Sequence, residues 1–169
     1  NPKNLLAPLI PHRYKTYIYK KEQDYYEMWN NSLFGISYVH GGWWEAVRYY
    51  EMLMNGCIPL ILDLKNCPDL TLTKLPKLEL IKIFEKYSWI LNQYNPLRIY
   101  KKKFLNLEKL IDYLKYFPKK RYNSRSFLTE FPEINEIRKK LLEHTRKKLT
   151  TEHIAQYVIQ SATKFYSST

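Results

Sequence analysis

Apolar residues recur along this chain in two different periods, and the switch between them outlines a fold. "SLFGISYV" at 32–39 is a near-continuous apolar run rich in β-formers, with the length of a buried strand. From 43 to 55 the period lengthens. Trp43, Ala46, Val47, Tyr50, Leu53 and Met54 follow i, i+3, i+4, i+7 spacing and predict one apolar helix face. Gly41-Gly42 break the chain before this helix, and Gly56 is a natural stop after it. "CIPLILDL" at 57–64 reads as a second buried strand, with Pro59 near its start, where a missing N–H does least damage. A helical crossover between two such strands implies that they lie parallel in one α/β sheet.

The flanks are less regular. Residues 1–15, with prolines at 2, 8 and 11, predict an irregular lead-in, and "TYIYK" at 16–20 a short strand. A short helix is expected at 22–30 and a loop at 65–77. Further helices are expected at 78–91, 105–116, 133–144 and 151–164, the last capped by Thr150 or Thr151. The second half is therefore mainly helical. It is also basic, with "KKK" at 101–103, "KKR" at 119–121 and "RKK" at 138–140 and 146–148. Internal repeats, low-complexity tracts and flexible linkers are not visible. The expectation is one domain over 1–169: a Rossmann-like parallel-sheet core at 16–100, with a helical basic region at 101–169 packed on it.

Composition narrows the class of protein. The 169 residues suffice for a real core. With 28 Lys+Arg against 16 Asp+Glu, the formal charge of +12 favours anionic partners. Nucleic acid, a phosphorylated ligand and an acidic membrane surface all qualify. The 16 tyrosines, together with abundant Lys, Asn and Ile, share AT-rich codons and read first as genome bias. "KYFPKKRYNSRSF" at 115–127 interleaves bases and rings, as a stacking platform for nucleic acid would, although solvated helix faces are the plainer reading. Cys57 and Cys67 form no metal motif and read as buried free thiols. Apolar runs stop well short of the roughly 20 residues of a membrane span, and no signal peptide is visible, so a cytoplasmic or viral setting is expected. The chain begins at Asn1 rather than Met, which reads as a fragment or a processed product.

Candidate chemistry gathers around the Gly-Gly turn. Ligands of open parallel sheets bind beyond the carboxyl ends of the strands. There, His40, Gly41 and Gly42 would precede a helix N-terminus, whose free N–H groups and dipole attract anions. Two glycines are neither a dinucleotide fingerprint nor a P-loop, and a plain turn explains them as well. Arg48 and Glu51 are three apart and share a helix face, with Glu45 three residues before Arg48. The pattern leaves two readings open. One is an exposed salt-bridged face, with each pair contributing roughly 0.2–0.5 kcal/mol. The other encloses the charges among Trp43, Trp44, Tyr49 and Tyr50 and pairs them with a ligand, Arg with a diphosphate and Glu with a sugar diol. Lys74 and Lys77, flanking "LP", are candidate phosphate contacts, though lysines are usually solvated. Asp63 reads as a turn residue within reach of the same cleft. His12, His144 and His153 are isolated and suit surface or capping roles.

Several of these elements occur together in one known pattern. Ser32-x-Phe34, "GG", Arg48-x-x-Glu51 and Gly56-Cys57-Ile58-Pro59 resemble the C-terminal half of exostosin-like glycosyltransferases. The run "GGWWEAVRYYEMLMNGCIPLILDLKNCPDLTLTKLPK" is more similar still to glycosyltransferase-like proteins of large DNA viruses and microbes. The resemblance covers about residues 22–80. It implies the donor-binding half of a GT-B fold, in which a nucleotide-diphosphate sugar gives its sugar to a glycan or protein acceptor. In that scheme Glu51 would bind the ribose hydroxyls, and Arg48 would face the diphosphate or position the loop. Gly41 and Gly42 would present N–H groups to phosphate beside His40. A resident metal or other cofactor is not expected. The acceptor half would be another domain or a partner chain, and no catalytic base is identified. Tyr49 stands where those relatives carry His, and Trp44 where they carry a polar residue. The missing acceptor half and the Tyr49 departure both suit the alternative of a non-catalytic structural or interaction protein that keeps the fold. A basic nucleic-acid-binding module is the other alternative.

Overall fold

The computed structural model describes residues 2–11, 14–38, 44, 46–94, 121–150 and 152. Three parallel strands, β1 (Asn4–Leu6), β2 (Ser32–Tyr38) and β3 (Ile58–Leu62), form a sheet in that order. The registers pair Leu6 with Phe34 and Phe34 with Ile58, so β2 is central. Five α-helices accompany the sheet among the described residues: α1 (Glu22–Asn30), α2 (Val47–Met54), α3 (Lys77–Tyr87), α4 (Ser124–Glu130) and α5 (Glu133–Lys148). The protein is thus α/β, and β2–α2–β3 is the parallel crossover expected from 32–64.

Central β2 is buried along Ser32–Ser37, as a parallel strand covered on both faces must be. Its alternating residues meet different layers. Phe34 packs against Tyr87 of α3 and Phe127 of α4, at ring-centroid distances of 6.1 and 5.6 Å. Gly35 lies under Trp29 of α1 and Met52 of α2, where a Cβ would come within 2.8 Å of both side chains. The missing side chain lets these two helices close on the sheet. Among the described residues, no helix is long and apolar enough to cross a membrane.

Several expectations change. The lead-in contains a strand: Leu5, Leu6 and Ala7 are buried, Asn4 N–H donates to Asn31 O (2.9 Å) and Ala7 N–H to Phe34 O (2.8 Å). Its prolines flank β1 rather than interrupt it. Residues 16–20 form no strand. Tyr14–Thr16 is a 3-10 turn held by Thr16 Oγ1 on Ile10, and Tyr17 and Ile18 face solvent. Helix α2 starts at Val47 and buries Tyr49, Met52 and Leu53. Val47 (73 % exposed) and Met54 (56 %) of the predicted stripe point outward, because the face in phase with Gly35 is the one carrying Met52. Helix α4 was not expected. Its seven residues are too few to show a period, yet Asn123 and Ser126 form a reciprocal cap at its start. Helix α5 runs four residues past its expected end, with Glu133 and Glu136 in its first turn and Arg146, Lys147 and Lys148 in its last, matching the helix dipole. The helices expected at 105–116 and 151–164 lie outside the described residues, apart from Glu152.

The C-terminal helices are tied to the sheet unit by specific bonds. Ser124 Oγ donates to Lys3 O (2.9 Å) and Arg138 Nε to Gly56 O (2.7 Å), at the left-handed turn (φ 69°) between α2 and β3. Tyr87 donates to Glu133 Oε1 (2.7 Å), which Lys86 also meets at 3.1 Å. Tyr87, the helix N-terminal N–H and Lys86 together lower the Glu133 carboxyl to about 2.

Candidate functional site

Helices α1 and α2 lie side by side over Gly35 and bring together four polar side chains. Tyr25 projects from α1, and its hydroxyl donates to Glu51 Oε2 of α2 at 2.6 Å. Trp29, one turn along α1, meets the Tyr25 ring edge-on at 5.7 Å. Arg48, one turn before Glu51, places its guanidinium 5.5 Å from the centroid of the Tyr17 ring. Its Nε is buried and meets no acceptor among the described residues.

The electrostatics follow from this enclosure. Burial works to lower the Arg48 pKa, but the nearby Tyr17 and Tyr25 oxygens outweigh it and hold the guanidinium above its ordinary value. Burial, then the hydrogen bond to Glu51, raises the Tyr25 phenol. Arg48 and Glu51 are both half-buried and make no ion pair with each other. Arg48 and Glu51 therefore do not form the exposed salt-bridged pair, and the rings beside them are those of Tyr17, Tyr25 and Trp29, while Trp43 lies outside the described residues. A charge-assisted bond fixes the carboxylate, and a ring and two phenol oxygens surround the guanidinium.

The remaining candidates are distributed differently. His40, Gly41, Gly42 and Glu45 lie outside the described residues, as do His12 and His153. Trp44 is half-buried and packs on the core beside Ala46, the residue before α2. The loop after β3 leaves the same carboxyl edge of the sheet from which α2 starts. Lys77, the first residue of α3, donates through Nζ to three of the loop's carbonyls, those of Pro68 (3.2 Å), Asp69 (3.1 Å) and Thr71 (2.7 Å). Three acceptors match its three donors, so Lys77 clamps that loop. Lys74 has an exposed side chain, and its carbonyl accepts from His144 Nε2 of α5 (2.8 Å). Asp63 adopts a left-handed conformation (φ 64°) at the strand end, as a turn residue, without a side-chain cap bond. Cys57 is buried, which pushes its thiol pKa up and leaves it inert, whereas Cys67 is only half-buried. Among the described residues, no group of three or more His, Cys, Asp or Glu is placed to hold a metal ion.

Tyr17 and Tyr25 escaped the sequence reading. Nothing in a tyrosine-rich chain distinguishes two that reach a charged pair on a helix more than 20 residues later. The same holds for an open groove of about 640 Å³ along the outer side of α1. Glu22, Gln23, Tyr26, Glu27, Asn30, Asn31 and Asn55 line it. Asn55 joins it to α2, its Nδ2 donating to Glu51 O at 2.8 Å. Compared with known proteins, the chain matches no protein-family model, no curated protein and no solved structure.

Proposed function

We propose that this chain is the donor-binding, Rossmann-like half of a GT-B glycosyltransferase and holds a nucleotide-diphosphate sugar at the start of α2. The observation that carries the reading is the Tyr25–Glu51 bond beside a half-buried Arg48 whose Nε meets no acceptor among the described residues. Glu51 already accepts a hydroxyl at 2.6 Å, the interaction a ribose diol would make with it. Arg48 keeps its charge and is not neutralised by Glu51, so it is available to a diphosphate. The parallel β2–α2–β3 crossover and the order of motifs along 32–59 support the same reading. His40, Gly41 and Gly42 would supply the phosphate side of the site. The partners are then the nucleotide sugar, a glycan or protein acceptor, and an acceptor-binding domain or chain.

A calorimetric titration with UDP, GDP, ADP and their sugars, with and without Mn²⁺, tests it. Saturable binding of one nucleotide family, weakened by Arg48→Ala, is the expected result. A second reading is a non-catalytic interaction protein on the same fold. It is favoured by the internal use of polar groups: Tyr25 on Glu51, and three loop carbonyls on Lys77. It predicts no nucleotide binding in the same titration.

A further inference from the structure

The groove along α1 differs in chemistry from the rest of the protein. The chain carries 28 Lys and Arg, yet among the described residues none lines it. Its wall consists of two carboxylates, four side-chain amides and one tyrosine ring. Glu22, Tyr26 and Asn30 follow each other at four-residue intervals, and Gln23, Glu27 and Asn31 do the same. They therefore form two adjacent rows along the helix. At 1.5 Å rise per residue these rows extend about 14 Å. Asn55 closes the far side from the end of α2. Asn31 Nδ2 reaches Glu27 at 3.3 Å, while the side chains of Gln23 and Asn30 make no hydrogen bond among the described residues.

Each class of ligand can be weighed against this wall. An anion would meet two carboxylates and, among the described residues, no cation. A metal ion would find too few acidic ligands, since no group of three is available among the described residues. A polyhydroxylated ligand fits. Amides both donate and accept, carboxylates accept, and a tyrosine ring offers a face to the C–H side of a sugar. We infer that the α1 groove binds a neutral oligosaccharide, with Gln23, Asn30 and Glu27 bonding its hydroxyls and Tyr26 packing against a ring. That chemistry stands on the lining alone. It does not depend on the glycosyltransferase reading, in which another domain or chain holds the acceptor.

The test is ligand-observed NMR on the full chain with neutral trisaccharides of glucose, mannose, galactose and N-acetylglucosamine, with spermidine and Mn²⁺ as competitors. The mutated positions are exposed or half-buried, so the variants are expected to fold. One trisaccharide should bind, and binding should weaken about tenfold or more in Gln23→Ala/Asn30→Ala and in Tyr26→Ala. Nucleotide titrations on the same samples should not change. Absence of binding by every trisaccharide would overturn the inference. So would affinity that is equal in the variants, or displacement of the sugar by spermidine or Mn²⁺ at these residues. Sugar binding without nucleotide binding would sink the donor reading alone, and nucleotide binding without sugar binding would sink the groove alone.

Discussion

Replacing Tyr25 with Phe removes one oxygen and leaves the ring edge-on to Trp29. The lost interaction is a 2.6 Å bond from a phenol to a carboxylate, both half-buried. Hydrogen bonds to charged groups contribute about 1.5–3 kcal/mol, and partial exposure places this one near the lower end, about 1–2 kcal/mol. At about 2–4 °C per kcal/mol for a chain of this length, the melting temperature should fall by about 2–8 °C. A double-mutant cycle with Glu51→Ala isolates the pair from the packing each residue also makes. Urea unfolding followed by tryptophan fluorescence suits it, since Trp29 is edge-on to Tyr25. The pair should show a coupling energy of about 1–2 kcal/mol. The folded-state phenol has a pKa above its ordinary value near 10, so its contribution is complete below pH 10 and lost as pH rises through the higher folded value. A coupling below about 0.3 kcal/mol would refute the view that Tyr25 fixes the Glu51 carboxylate.

Other perturbations probe the frame around the site. Gly35→Ala should cost about 1–3 kcal/mol in urea unfolding, because its methyl would sit 2.8 Å from Trp29 and Met52, and Met52→Ala should recover part of that loss. Glu133 is lowered to about 2, below its unfolded value near 4.5. Its stabilising contribution is therefore present above pH 4.5 and disappears as pH falls towards 2, and Glu133→Gln should flatten the acid-unfolding profile over that window. Arg138→Met should cost about 1–3 kcal/mol by leaving the Gly56 carbonyl without its 2.7 Å donor, and Arg138→Lys should recover little of it, since lysine lacks the Nε–H.

The order of elements was legible wherever burial imposed a period. The buried stretches Ser32–Ser37 of β2 and Ile58–Ile61 of β3 read as continuous apolar runs, and Gly56 marked the turn between α2 and β3 correctly, with its positive φ. Phase was harder than period. Helix α2 has apolar residues on several sides, and only contact with Gly35 of a neighbouring strand decides that Met52 faces inward and Val47 outward. Strand β1 was hidden because a three-residue edge strand gains its identity from pairing with Ser32 and Phe34, not from its own propensity. For the site, spacing alone placed Arg48 and Glu51 on one face. What surrounds them could not be read, because Tyr17 and Tyr25 arrive through tertiary packing of a separate helix and loop. Lys77 shows the converse: a lysine beside a candidate site looks like a phosphate contact until its three carbonyl acceptors are seen.

The most direct test of Glu51 as a diol acceptor compares two forms of one nucleotide. Once titration has identified the base, affinities for the ribonucleoside diphosphate and its 2′,3′-dideoxy form should be measured on the wild-type chain and on Glu51→Ala. The account predicts that the wild type prefers the ribo form by about tenfold or more, as expected when a hydroxyl–carboxylate bond is lost, and that Glu51→Ala binds both forms equally. Equal affinity for the two forms in the wild type, or a preference that survives Glu51→Ala, would contradict it.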